Sequence, residues 1–483
     1  MDTPSAQPPT RTGPTRRALL AGAAAVAAGP LATPESAAAA PPPAAGPGRR
    51  LRPQRPDAQL RRLLAEVDPD RIEADVRRLA AFGTRHTMSA QDDPVRGIGA
   101  ARDWIHARMR ECAAPSGGRM TVALQSFIQP AGPRLPVPTR ITNVVATLRG
   151  SVTPDRVYVV SGHYDSRASD VLDFTSDAPG ADDDASGVAA VLEMARLFAT
   201  RDVAATVVFA ALAGEEQGLF GAAHLAAQLK AAGADVQGMF SNDIIGASEA
   251  FDGTPADPRT VRLFVEGVPT AETPAETTTR QSVGGENDGP SRQLGRFVQE
   301  VAENRHTGMR VRVVWRRDRY LRGSDHIPFL QQGYPAARFS EARENFAHQH
   351  QDVRVVDGVQ YGDLPEFCDF HYIARVTRVN AAVLWSLAQA PGTPRDAVVV
   401  TAGLTNDTTL RWRRGPEPDI AGYEILWRET TAGEWTHVLS VGDVTSATIP
   451  LSKDNVQFGV RAVGRSGHRS PAAAPRPGPA ATP

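Results

Sequence analysis

The chain reads as an α/β domain built on a doubly wound, mostly parallel sheet, followed by a small all-β sandwich. Three observations predict this. From Ile141 onward, apolar runs of strand length alternate with helical patterns, as in a parallel sheet covered on both faces. After Pro391-Gly392-Thr393-Pro394 the hydrophobic period changes to two, the mark of half-buried strands between turns. At 483 residues the chain also exceeds one ordinary core, so two or more domains are expected.

The first forty residues have a basic start (Arg11, Arg16, Arg17), an apolar run from Ala18 to Ala32 and small residues from Ala37 to Ala40. This is a secretory pattern, and Thr15-Arg16-Arg17-Ala18-Leu19-Leu20 is similar to a twin-arginine signal. The apolar run is shorter than the ~20 residues a spanning helix needs, so export is expected rather than a membrane anchor. Residues 41–56, rich in Pro, Ala and Arg, read as an extended linker.

Folding is expected from Asp57, and residues 57–390 form the first domain. Leu60, Leu63, Leu64 and Val67, then Ile72, Val76 and Leu79, recur at helical spacing, with Asp68-Pro69 marking a new start between them. A third helix is expected from about Gly97 to Glu111. Then come a strand at Val157–Val160, a helix at Val188–Phe198, a strand at Thr206–Leu212, a helix at Leu219–Leu229 and a short strand at Met239–Asn242. Residues 247–293, rich in Thr, Pro, Gly and Asp around the run Val261–Val265, read as a surface insertion. In the last hundred residues Leu410 and Trp412, then Tyr423, Ile425 and Trp427, then Val456, Phe458, Val460 and Ala462 alternate as strands. The sandwich is expected over 395–470, and 471–483 as a low-complexity tail.

Composition narrows the function. Hydrophobic residues at 41% suffice for globular folding, and a formal net charge of -1 leaves no basic field for nucleic acid or anionic lipid. Peptides or small molecules are the expected partners. The basic charge is almost all arginine, which reads as a coding bias. Two cysteines, Cys112 and Cys368, exclude a thiolate metal cluster and a disulfide framework; one bridge or two free thiols are both open.

Chemistry concentrates in five ordered stretches. They are Gly162-His163-Tyr164-Asp165-Ser166, Gly180-Ala181-Asp182-Asp183-Asp184-Ala185-Ser186-Gly187, Gly214-Glu215-Glu216-Gln217-Gly218, Asn242-Asp243-Ile244-Ile245-Gly246 and Gly323-Ser324-Asp325-His326. Imidazoles and carboxylates without thiolates suit a pair of hydrolytic divalent cations, above all zinc. Singly, each stretch is weak: a His-x-Asp is more often a polar pair, and an aspartate run is more often a turn or cap. Together they gain weight, because His163, Glu215 and Asp243 each follow a strand, and ligands of such folds gather at the carboxyl ends of strands. Ser166 and Ser186 have no serine-hydrolase elbow around them.

With these motifs, and with Phe82-Gly83-Thr84-Arg85 and Gln349-His350-Gln351-Asp352, residues 57–390 resemble the secreted two-zinc exopeptidases of the bacterial leucyl aminopeptidase and aminopeptidase Y family. The resemblance implies a zinc exopeptidase fold, with two Zn²⁺ per chain or other divalent cations in their place. It implies that His163 and Asp243 bind one zinc, that Glu216 and His326 bind the other, and that Asp183 bridges both. Asp183 is taken from three aspartates because it stands three residues before Ser186, as the pattern of the resembled family requires; Asp182 and Asp184 are its alternatives. The implied activity is zinc-dependent removal of residues from peptide or protein N-termini, through a metal-bridged hydroxide. Glu215 would be the general base and Asp165 would orient His163. His348 and His350 are expected only to border the cleft, and Tyr320 and Arg322 either to stabilise the oxyanion or line the substrate pocket, or merely to pack at a strand end or meet solvent. Carboxypeptidase or glutaminyl cyclase chemistry, and a non-catalytic binding protein, are the alternatives. The C-terminal segment resembles a fibronectin type III domain through Tyr423-Glu424-Ile425-Leu426-Trp427 and Gln457-Phe458-Gly459-Val460-Arg461-Ala462-Val463. A spacer or docking role follows from that resemblance, with Trp412, Trp427 and Trp435 as candidate contacts to a surface or polymer.

Overall fold

Eight strands form the sheet that organises the molecule, seen in a computed structural model that describes residues 46–250 and 252–479. The expected signal segment, 1–40, lies outside the described residues. Across the sheet the order is Met120–Gln129, Thr139–Leu148, Ala205–Leu212, Thr153–His163, Asp235–Asn242, Ala336–Glu341, Thr260–Val265 and Arg310–Val314. The four strands from Ala205–Leu212 to Ala336–Glu341 are mutually parallel. The flanks add antiparallel pairings, so the sheet is mixed with a parallel centre.

The sheet's period of two sorts its side chains onto two cores. Val144, Tyr158, Val160, Val207 and Phe209 face a layer containing the helices Pro69–Ala80, Ile98–Ala113, Ser186–Ala199, Pro290–Ala302 and Phe370–Gln389. Val145, Val157, Val159, Val208 and Leu212 face Phe220–Ala231 and His326–Gln331. With both faces covered, a central strand carries a nearly continuous apolar run, and Ala205–Leu212 is buried at every position.

Local signals set the first helices. Asp57 accepts from the backbone N–H of Gln59 and Leu60 (2.6 and 2.8 Å) and starts Ala58–Ala65. Asp68 caps Pro69–Ala80, with proline at the first helical position where its missing N–H costs nothing.

The segment 247–293 is not a surface insertion: Thr260–Val265 lies inside the sheet, between Ala336–Glu341 and Arg310–Val314. Only its flanks, such as the exposed helix Pro274–Ser282, sit outside. Cys112 and Cys368 are free thiols, so neither closes a loop. No helix among the described residues is long and apolar enough to cross a membrane.

The C-terminal segment forms two four-stranded sheets packed over Leu410, Trp412, Tyr423, Ile425, Trp427 and Phe458. Both expected boundaries shift. Arg49–Arg50, within the expected linker, pairs with His437–Gly442, and Trp427 Nε1 donates to the Pro47 carbonyl (2.9 Å). Arg476–Gly478, within the expected tail, pairs with Arg395–Val400. The sandwich is also bolted to the larger domain. Arg428 Nη2 donates to both Asp288 oxygens (2.9 and 2.8 Å), and Arg461 Nη1 to both Glu300 oxygens (3.0 and 2.8 Å). Arg156 pairs with Glu417, and Asp57 accepts from Trp385 Nε1 (3.0 Å) and lies 2.9 Å from His468 Nε2. Trp435 is buried in this seam, donating to Gln293 Oε1 (3.0 Å), so the three candidate tryptophans are internal, not a contact surface.

Candidate metal centre

Parallel strands bring the candidate residues to one rim. His163 ends the strand Thr153–His163, Glu215 and Glu216 follow Ala205–Leu212, and Asp243 follows Asp235–Asn242. Asp183 reaches the rim from the turn before the helix Ser186–Ala199, and the Asp183-Asp184 peptide is cis.

Two groups of ligand-type atoms result. His163, Asp183 and Asp243 form one, and Asp183, Glu216 and His350 form the other, with the ligand atoms of each group lying within 4.8 Å of one another. Asp183 belongs to both. Its Oδ1 stands 3.0 Å from His163 Nε2, and its Oδ2 stands 2.9 Å from His350 Nε2. His350 Nε2 is also 2.9 Å from Glu216 Oε1.

The expectation for His326 is therefore corrected, because His350 occupies the place assigned to it. His326 is folded beneath its own loop, its Nε2 lying 2.7 Å from the Arg317 carbonyl, and belongs to neither group. Burial pushes its pKa down to about 4, so it is a neutral packing imidazole. His348 stacks on Phe367 outside both groups.

The choice among the three aspartates follows from what holds each one. Asp184 accepts from the backbone N–H of His163 (2.9 Å) and Gly187 (3.0 Å), fastening the strand end to the helix start. Asp182 accepts from Gly246 N–H (2.6 Å). Asp363 accepts from the N–H groups of Asp182 and Asp183 (2.8 Å each), which aims the Asp183 carboxylate at the imidazoles.

Asp165 does something other than expected. The contact to His163 Nδ1 is from the Asp165 backbone carbonyl at 3.1 Å, while its nearer carboxylate oxygen stands at 3.6 Å, too long for a hydrogen bond. That carboxylate instead accepts from Glu215 N–H (3.2 Å), Glu216 N–H (3.1 Å) and Thr87 Oγ1 (3.1 Å). It positions the glutamate pair, and its backbone sets the imidazole.

The donor set fits a cation. A carbonyl can only accept, so His163 Nδ1 carries a proton and Nε2 is the nitrogen left to face Asp183. Nε2 is buried and, although 3.0 Å from a carboxylate oxygen, makes no hydrogen bond to it. Short spacing without hydrogen-bond alignment is how two ligands of one ion stand. Crowded carboxylates act the same way. Burial, then the fields of Asp243, Glu216 and Asp325, raises the Glu215 pKa well above the carboxylate range. Burial opposes charge on His350, yet Glu216 and Asp183 push its pKa up to about 10.

Sequence reasoning missed several neighbours. Arg338, fully buried, donates to Asp243 Oδ1 (2.6 Å) and orients it. Asp325 is buried with neither carboxylate oxygen hydrogen-bonded, and burial, then Asp165 and Asp243, raises its pKa to about 7. For His350 one signal existed: the strand Ala336–Glu341 ends at the same rim and leads into Gln349-His350. A groove of about 860 Å³ between the helix Pro274–Ser282 and the sandwich holds none of these residues.

Comparison with known proteins bears on the same region. Residues 143–355 match the model of peptidase family M28, a span that holds both groups of ligand-type residues. A "probable zinc metalloprotease" of Leptosphaeria maculans is 53% identical over 88% of this chain and 98% of its own. Another of Pyricularia oryzae is 55% identical over 88% and 86%. Among solved structures, LapB of Legionella pneumophila is 20% identical with a TM-score of 0.47, over 70% of this chain and 77% of its own. The glutaminyl cyclase of Porphyromonas gingivalis is 17% identical with a TM-score of 0.45, over 66% and 97%. Likenesses this distant do not bear on activity.

Proposed function

The chain belongs to peptidase family M28 as a zinc metalloprotease, and we propose on that footing that it is an exported aminopeptidase working with two zinc ions. The observation that carries this reading is the single Asp183 carboxylate offering one oxygen toward each of two imidazoles, at 3.0 and 2.9 Å. His163 and Asp243 would hold one ion, Glu216 and His350 the other, with Asp183 shared between them. When bound, such a pair polarises the scissile carbonyl and makes water acidic enough to be deprotonated near neutrality.

The residues of the chain do the rest. Glu215, beside Glu216 and belonging to neither ligand group, is the group available to take a proton from water and return it to the departing amine. Asp165 holds both glutamates by their backbone and keeps Glu215 at the rim. Arg338 donates to Asp243 and so holds that carboxylate in place beside His163. Fibronectin type III membership of the sandwich is proposed from its strand pattern, with a structural role as its first function. Export is proposed from the twin-arginine pattern of the first forty residues.

The test is hydrolysis of aminoacyl p-nitroanilides, free and N-acetylated, before and after chelation and zinc restoration. Cleavage of only the free-amine substrates, lost on chelation and regained with zinc, is expected. Equal cleavage of the acetylated substrates would remove the aminopeptidase reading while leaving the metalloprotease.

A further inference from the structure

The loop between the strand Arg310–Val314 and the helix His326–Gln331 is rich in arginine, and the proposed catalytic set uses none of it. Residues 319–322 form a tight turn: Arg322 N–H donates to the Arg319 carbonyl (3.0 Å) and the two residues pair across the turn. Residues paired in this way carry their side chains on the same side. Tyr320 and Leu321 make the tip in the left-handed region, with φ of 42° and 66°, and are 82% and 90% exposed. Leu321 N–H donates to Asp318 Oδ1 (3.2 Å), which helps hold that conformation.

The turn sets two guanidinium groups beside the metal centre. Arg322 Nη2 donates to Gln349 Oε1 (2.9 Å), and Gln349 Nε2 reaches Asp183 Oδ2 at 3.4 Å, so one amide separates Arg322 from the shared carboxylate. Arg319 is largely buried, and its Nε has no hydrogen-bond partner. Three guanidinium groups converge here. Arg262 and Arg319 each lie 2.7 Å from Glu344, and Arg322 lies 3.6 Å from it, so three guanidinium groups share one carboxylate. Asp318 is buried and accepts from Leu321 N–H, Asp183 belongs to both ligand groups, and Asp243 is paired with Arg338. Arg322 remains 43% exposed, and among the described residues only its Nη2 is hydrogen-bonded from the side chain. Burial, then Arg319, lowers its pKa from the usual arginine value, while Glu344, Asp183 and Asp243 oppose that shift.

We propose that Arg322, backed by Arg319, forms a subsite for a carboxylate of the substrate peptide at the mouth of the metal centre. A guanidinium fork with free donors suits a carboxylate, and the Phe346 ring under Arg322 (5.7 Å) restricts its swing. The carboxylate comes either from an acidic side chain beside the scissile bond or from the C-terminus of a very short peptide. The inference rests on the peptidase reading of the same centre.

The experiment compares kcat/KM for Glu- and Gln-p-nitroanilide in one arm, and for Ala-Ala and Ala-Ala-amide in the other, in the zinc-loaded full chain and in Arg322→Gln. The account expects a roughly ten- to hundredfold preference for the carboxylate member of at least one pair, in keeping with one charged hydrogen-bonded contact. The arm that shows it identifies the source. Arg322→Gln is expected to bring that ratio close to one. A ratio near one in both arms of the wild type, or a preference that survives Arg322→Gln, overturns the subsite while leaving the peptidase intact. If no substrate is turned over, the peptidase reading fails and binding still decides the subsite. Glutamate should then stabilise the wild type thermally more than glutamine does, with the difference lost in Arg322→Gln; no such difference overturns it.

Discussion

The metal centre and the seam that joins the sandwich to the sheet domain are both made of buried charge, but they balance it differently. In the seam the buried cations meet opposite charges: Arg428 both oxygens of Asp288, which Arg296 also reaches at 3.4 Å, Arg461 Glu300 and Glu424, and Arg156 Glu417. At the rim, Asp183, Glu215, Glu216, Asp243 and Asp325 crowd together, with Arg338 the one close guanidinium on Asp243. A fully paired cluster is complete as it folds. A cluster with surplus carboxylate and an imidazole nitrogen left unbonded has capacity for added cations. The seam therefore belongs to stability and the rim to chemistry, and substitutions should separate them.

The largest effect is expected at the rim. Glu215→Gln removes the proposed proton acceptor without removing a ligand, so kcat should fall by about 10²–10⁴-fold with zinc content unchanged, read by p-nitroanilide kinetics and metal analysis. In the seam, Arg428→Ala takes the bidentate partner from buried Asp288, leaving it Arg296 at 3.4 Å, and should destabilise by up to roughly 3–5 kcal/mol, seen as a lower midpoint in urea, while the folded fraction keeps its specific activity. Asp57→Ala removes a helix cap that also meets Trp385 and His468, and should cost about 0.5–2 kcal/mol or somewhat more.

The comparison also has a pH form. In the chelated protein His350 titrates at about 10, above its ordinary value of 6.5. Its charged form thus adds stability that is fully present below 6.5 and is lost as pH rises through about 10. Zinc must displace that proton, so binding at neutral pH should release protons and weaken as pH falls. Calorimetry in buffers of different ionisation enthalpy measures the release, and an enthalpy independent of buffer would contradict it. Asp57 moves the other way. Burial opposes its charge, but His468 and the helix N–H groups hold its pKa below the usual range, so its contribution is present above 3.8 and is lost as pH falls through the lower folded value.

How much of this was legible depended on local signals. His163, Glu215 and Asp243 follow strands whose apolar runs are unmistakable, so their meeting could be read from the order of motifs, while Asp183 and Glu216 joined them through the family resemblance. His350 could not be read so directly, because eight residues of irregular chain separate it from Glu341. His326 entered the ligand set through the family resemblance, yet a helix start turned that imidazole under its own loop. Thr260–Val265 was hidden among Thr, Pro and Gly that signal loops, and only its partner strands make it internal. The Pro-rich segment after residue 45 carries no periodicity. It is ordered by an edge strand and by Trp427, both remote in sequence. Spacing alone also showed that Asp165 is near His163, but not that its carboxylate points to the backbone of Glu215 and Glu216.

The most direct measurement is the zinc content of His350→Ala and His326→Ala beside the wild type, by plasma mass spectrometry on protein whose folding is checked by near-ultraviolet circular dichroism. The account predicts about two zinc ions in the wild type, the number a two-metal site demands. It predicts loss of about one from His350→Ala and an undiminished content in His326→Ala. Full zinc in His350→Ala with depletion in His326→Ala would contradict the ligand set on which the account stands.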